Sequence, residues 1–129
     1  MIGNAVYGKL SATVAVTNLV STRIYPDSAT QDAAYPFIVY SVTDTASTDI
    51  KDGVSPLDVV SVTLMVYAES YAVALDIAEK SRAALDRMSG SYSGVNVQSC
   101  KFTGQSSGDM HLDKHIFVVE QAYQFRQNR

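Results

Sequence analysis

The residues best equipped for chemistry fall in one short stretch, DMHLDKH at 109–115. Asp109, His111, Asp113 and His115 alternate along it, so an extended chain would present all four on one face. Imidazole with carboxylate is a legitimate ligand set for Zn or Mn. The plainer reading prevails. The stretch lies in or beside a turn, carries Lys114 within it and matches no ligand spacing tied to a mechanism. Cys100 has no nearby His or helix N-terminus to lower its pKa, which reads as a core thiol rather than a nucleophile. Asp49, Asp52 and Asp58 lack the 1-3-5 spacing and closing Glu of an EF-hand, so they read as solvated loop acids. The sequence contains no G-x-x-x-x-G-K-[ST] and no G-x-G-x-x-G. The expectation is no catalytic residue, no metal and no cofactor, hence no enzyme.

The clearest structural signal runs from Asp58 to Met88. Val60, Val62, Leu64 and Val66 alternate with Val59, Ser61, Thr63, Met65 and Tyr67, the period of a strand. From Ser70 the spacing turns helical. Ala74, Ile77, Ala78, Ser81, Leu85 and Met88 share one side, with Tyr71 and Leu75 at its edge. Asp76, Glu79, Lys80, Arg82, Asp86 and Arg87 take the rest of the circumference. Ser70 stands where an N-cap belongs, Asp76 and Lys80 form a four-residue ion pair, and Gly90 suits the left-handed position that ends a helix.

The 129 residues are read as a single domain, 1–129, able to bury roughly two thirds of its unfolded surface without a disulfide or metal. A net charge of −3, with ten scattered basic residues, argues against specific nucleic-acid binding, which leans on Lys and Arg against phosphate. One cysteine fits a reducing cytosol. The first residues show no signal-peptide pattern, and no apolar run approaches the ~20 residues of a membrane span.

Ile2, Val6 and Leu10 predict a short N-terminal helix over 2–12. Residues 11–22 fit a second helix or a strand. RIYP at 23–26 is brief and extended. FIVYSV at 37–42, Val95–Phe102 and His115–Phe125 read as strands, with GQSSGD as a turn. Eight tyrosines include Tyr40, Tyr67 and Tyr123 within strands, suited to core packing or to an interface. The fold class expected is α+β: a mainly antiparallel sheet of four to five strands, covered by one long helix (70–88) and a short N-terminal helix.

Thr43–Asp58 reads as a sixteen-residue loop, long enough to imply a function. Its acids are Asp44, Asp49, Asp52 and Asp58. Ile50, Val54 and Leu57 are apolar beyond what a solvated loop needs. Asp44, Asp49, Ile50, Asp52, Val54 and Leu57 are therefore the candidate assembly residues, expected to order against a neighbouring subunit or along a lumen.

Four stretches taken together resemble one family. They are RIYP (23–26), YPFIVYSV (35–42), VTLMVYAESYAVALDIAEKSRAAL (62–85) and a last strand ending in Phe125-Arg126. Their order and spacing are similar to those of the tail-completion, or tail-terminator, proteins of long-tailed bacteriophages. The resemblance implies a virion protein that caps the head-proximal end of the tail tube as a homo-hexameric ring. Its partners would be the tail-tube protein and head-closure or neck proteins. It implies no active site. The rival from another class is a regulatory α+β domain that binds a small molecule or peptide, which would need a concave apolar pocket.

Overall fold

The two-residue alternation of Asp58–Ala68 becomes the middle of a sheet. In the computed structural model of the protein, Val60, Val62, Leu64 and Val66 are at most 1% exposed, while Val59, Ser61, Thr63, Met65 and Tyr67 are half-buried on the other face. The structure describes residues 2–21, 23–27, 34–50, 53–92, 94–111 and 115–128. At 44, 46–50, 53–57, 108–111, 115 and 128 it describes the backbone alone.

The helices are α1 (Ile2–Ala12), α2 (Val14–Val20) and α3 (Tyr71–Leu85). The strands are β1 (Ile24–Pro26), β2 (Phe37–Ile50), β3 (Gly53–Ala68), β4 (Gly90–Tyr92), β5 (Val95–His111) and β6 (His115–Asn128). They form one sheet in the order β1-β2-β3-β6-β5-β4. β1 is parallel to β2 and every other pairing is antiparallel. The sheet curves into a half-barrel.

This corrects the expected architecture. The sheet is mixed and six-stranded among the described residues, and its cover is three short helices rather than one long helix over four to five strands. The missed strands, β1 and β4, have three residues each. They are too short to show a period and exist because β2 and β5 supply partners. The ambiguous segment 11–22 holds α2, whose β-branched run VAVTNLV hid its helical state. α1 matches its expected span.

α3 ends at Leu85, short of Met88. Asp86 takes extended geometry and Arg87 enters the left-handed region at φ 64°, the position expected of Gly90. Gly90 (φ 119°) instead opens β4. Tertiary bonds fix this stop. The Arg87 N–H donates to Cys100 O at 2.9 Å, and the Phe102 N–H donates to Asp86 Oδ1 at 3.1 Å. Met88 remains buried beyond the helix. Ser70 occupies the N-cap without a side-chain cap bond, and Lys80 Nζ lies 3.9 Å from Asp76 Oδ1.

The apolar face of α3 holds Ala74, Ile77, Ala78, Ala84 and Leu85, buried in one core with Leu64, Val119, Tyr123, Phe125 and the inner faces of α1 and α2. A polar pin runs through it. Gln121, fully buried, donates from Nε2 to Ala78 O and to Gln105 Oε1, both at 2.9 Å. Its Oε1 accepts the Tyr123 O–H at 2.7 Å. Buried amides persist only when satisfied in this way. The pin ties the backbone of α3 to β5 and β6.

Two stretches read as irregular are strand. Thr43–Asp58 is not a loop: β2 and β3 pair through Asp44↔Ser61, Ser47↔Asp58 and on to Ile50↔Gly53. Nor is GQSSGD a turn, because Gly104↔Ala122 through Asp109↔Phe117 continue the β5–β6 ladder. Backbone pairing with an already specified partner strand extends both, without help from apolar alternation.

Candidate assembly surface

The two long hairpins close at opposite ends of the sheet. β2 and β3 meet at Ile50↔Gly53, beyond the point where Leu57 faces Asn128 of β6. β5 and β6 meet at His111↔His115, beyond the point where Ala68 faces Phe117.

Each hairpin has one strand whose outer side is covered over only part of its length. On β2 the cover is β1, from Ile24↔Ile38 to Pro26↔Tyr40, and it finishes with the Asp27 N–H donating to Tyr40 O at 2.8 Å. On β5 it is β4 at Val95–Val97, followed by the Asp86 and Arg87 bonds to Phe102 and Cys100. A register shift follows each cover, between Val42 and Asp44 and between Phe102 and Gly104. At each, the intervening threonine stitches inward: Thr43 Oγ1 donates to Ser61 O at 3.2 Å, and Thr103 Oγ1 to Ala122 O at 3.0 Å. Bulges of this kind bend and twist a strand at a sheet margin. Among the described residues no strand pairs with the outer side of Asp44–Ile50 or of Gly104–His111.

The candidate assembly residues spread along the first hairpin. Asp44, Asp49 and Ile50 lie on β2, and Val54 and Leu57 on β3, each placed by its backbone, while Asp52 falls outside the described residues. In DMHLDKH, Asp109 and His111 end β5 and His115 opens β6 opposite His111; residues 112–114 fall outside. No cluster of three metal-ligating side chains occurs among the described residues.

Cys100 is 3% exposed, and burial, helped by Asp86, pushes its thiol up to about 12. Burial likewise raises Tyr40, Tyr67 and, most strongly, Tyr123. Tyr40 and Tyr123 are core residues, whereas Tyr67 sits on the helix-free face. There it stacks on Phe37 at 4.9 Å, and Phe37 also meets Tyr35 at 5.1 Å and Tyr25 at 5.9 Å. Sequence reasoning missed this aromatic group. Its only trace is the pair of aromatic–proline steps, Tyr25-Pro26 and Tyr35-Pro36. Of two shallow hollows, one of about 210 Å³ lies at Tyr35, Ala68 and Val73, and one of about 340 Å³ at Asn4, Asp27 and Tyr40. The first is below the ~300–1,000 Å³ of small-molecule sites and the second lies near the bottom of that range.

Paired arms that reach opposite ends of one sheet suit a building block. The sequence matches the family described as "Tail completion protein gp17" over residues 4–126. The chain belongs to this tail completion family. A chain from the virion of the native gene transfer agent (GTA) particle has the same fold, with a TM-score of 0.81 and 19% identity, covering 97% of this chain and 92% of that one. A second solved chain is similar at a TM-score of 0.52 and 15% identity, covering 89% and 87%. No curated protein matches. As a tail completion protein, the chain is a structural component of the virion and acts where tail and head are joined.

Proposed function

We propose that the protein works as a ring of six identical subunits capping the head-proximal end of the tail tube. It contacts the tail-tube protein on one side and a head-closure or neck protein on the other. Its work is assembly geometry, with no catalytic step and no cofactor. The observation that carries this reading is the opposed placement of the two hairpins. A subunit whose arms end at opposite ends of one rigid sheet can engage two different partners at once. A heterologous contact between copies closes into a ring when its rotation is a whole fraction of a turn. Asp44, Asp49, Ile50, Asp52, Val54 and Leu57, on or beside the first arm, are proposed to meet a neighbour or line the lumen. The test is electron microscopy of the neck of intact particles. Six-fold density that fits this chain between tail tube and head supports the proposal. Density for this chain at any other place, or with another symmetry, overturns it.

A further inference from the structure

We infer that neighbouring copies of this chain join by strand pairing, the outer edge of β2 (Asp44–Ile50) in one copy against the outer edge of β5 (Gly104–His111) in the next, antiparallel. The inference rests on the ring reading above and specifies its contact.

Four observations converge on it. The first is that, among the described residues, neither edge has a partner strand. The two edges lie at opposite margins of the long-stranded sheet, and each begins where its short covering strand and bulge end. Unpaired edges of this length present a row of free N–H and C=O groups, which proteins normally protect. The second is composition. The segments read DTASTDI and GQSSGDMH, without the lysine or proline that commonly blunts an exposed edge. Small polar residues dominate both segments, with Asp44, Asp49 and Asp109 as their carboxylates, and small side chains permit a close backbone approach.

The third is direction. β2, β3, β6 and β5 are mutually antiparallel in sheet order, so β2 and β5 run oppositely. Rotation about a ring axis leaves each strand's sense along that axis unchanged. A β2 edge therefore meets the next copy's β5 edge antiparallel, the commoner and slightly more stable pairing.

The fourth is fit along the strands. The open part of β2 lies toward the Ile50↔Gly53 end and the open part of β5 toward the His111↔His115 end. Pairing them displaces adjacent copies by about eight residues, ~26 Å at ~3.3 Å per residue. With that stagger, β1 of one copy ends just below the neighbour's β5 tip, and the neighbour's β4 passes above the β2 tip. The two short strands act as stops for the register. A constant stagger between strands is the shear that a closed, tilted sheet requires.

The experiment introduces cysteine pairs into particles made by infection-complementation: Thr45→Cys with Asp109→Cys, and Asp49→Cys with Gln105→Cys. The crossed pairs are Thr45→Cys with Gln105→Cys, and Asp49→Cys with Asp109→Cys. Facing strand positions come close enough for a disulfide, and the native Cys100 is buried. Mild oxidation of the first two pairs is expected to convert the monomer band to a ladder ending at the closed ring. The crossed pairs and all single variants stay monomeric on a denaturing gel. Ladders from the crossed pairs instead would overturn the antiparallel register. Wild-type particles give a second, variant-free reading, in which density between adjacent copies should place Asp44–Ile50 and Gly104–His111 at the ~4.8 Å spacing of paired strands. A six-fold ring whose copies keep these segments apart would sink the strand pairing and leave the ring standing. A particle with no ring of this chain would sink both.

Discussion

Within β2 alone, two environments meet. From Phe37 to Tyr40 the strand has β1 on one side and β3 on the other, and Ile38 and Tyr40 are buried in the core beneath α1. From Asp44 to Ile50 it has β3 and no second neighbour among the described residues. The first part reads FIVY and the second DTASTDI. The same contrast divides β5, where Val97 and Cys100 are buried and Ser106 and Ser107 are exposed. Apolar alternation thus records where helices cover the sheet. The ladder continues past the cover because backbone pairing asks for a partner rather than for a side-chain type.

The largest effect that would sharpen this division is in the covered half. Leu85→Ala should lower stability by roughly 2–5 kcal/mol, the usual range for a fully buried leucine. A urea midpoint equal to wild type would break the claim that α3 is packed. Gln121→Leu is expected to follow at about 1–3 kcal/mol, because it strips partners from the buried Tyr123 hydroxyl and the Ala78 carbonyl. Thermal melts decide it, and a gain in stability would show the pin to be dispensable.

A smaller effect appears at high pH. The Cys100 thiol ionises near 9 in an unfolded chain and only at about 12 in the fold. The native state thus holds its proton where the unfolded state has released it. The contribution is whole below about pH 9 and is lost as pH climbs toward 12. Stability measured across that window should fall less steeply in Cys100→Ala than in wild type, relative to each protein's value at pH 8. Parallel curves would contradict the assignment. Lys80→Ala, at the exposed end of a 3.9 Å ion pair, should shift stability by no more than about 0.5 kcal/mol.

The uncovered half inverts the order. Replacing Thr45–Ser55 by Gly-Asn-Gly should leave the melting temperature within about 4–8 °C of wild type, the shift that ~1 kcal/mol gives a small domain. The same variant should fail to complete tails in an infection-complementation assay. Full complementation would show that the β2–β3 arm has no role in assembly.

What the sequence disclosed follows the same line. The cores of β2, β3, β5 and β6, the N-terminal helix and the buried face of α3 were legible because each is covered and therefore patterned. Thr43–Asp58 looked like a loop because its residues are mostly small and polar, without apolar alternation. β1 and β4 were hidden by brevity, and the end of α3 by bonds from Asp86 and Arg87 to residues some fifteen positions away. The candidate assembly residues were chosen for charge and for unexplained apolar character, and those among the described residues fell along an arm of the sheet. The β5 edge carried no comparable mark, because small polar residues in a strand look like a turn. Family likeness rested on RIYP, YPFIVYSV, the Val62–Leu85 unit and the last strand ending in Phe125-Arg126.

The long antiparallel ladders also have a mechanical meaning. The bonds joining β2 to β3, β3 to β6 and β6 to β5 lie across the strands. A tension directed along the strands loads the bonds of a ladder together, in shear. A tension directed across them would part the bonds one by one, like a zipper. A subunit seated where tail and head are joined would resist a pull along its strands in its stiffer direction. The lifetime of such a joint under force depends on the unfolding rate rather than on equilibrium stability. Ladders as long as these would place many bonds under such a load at once.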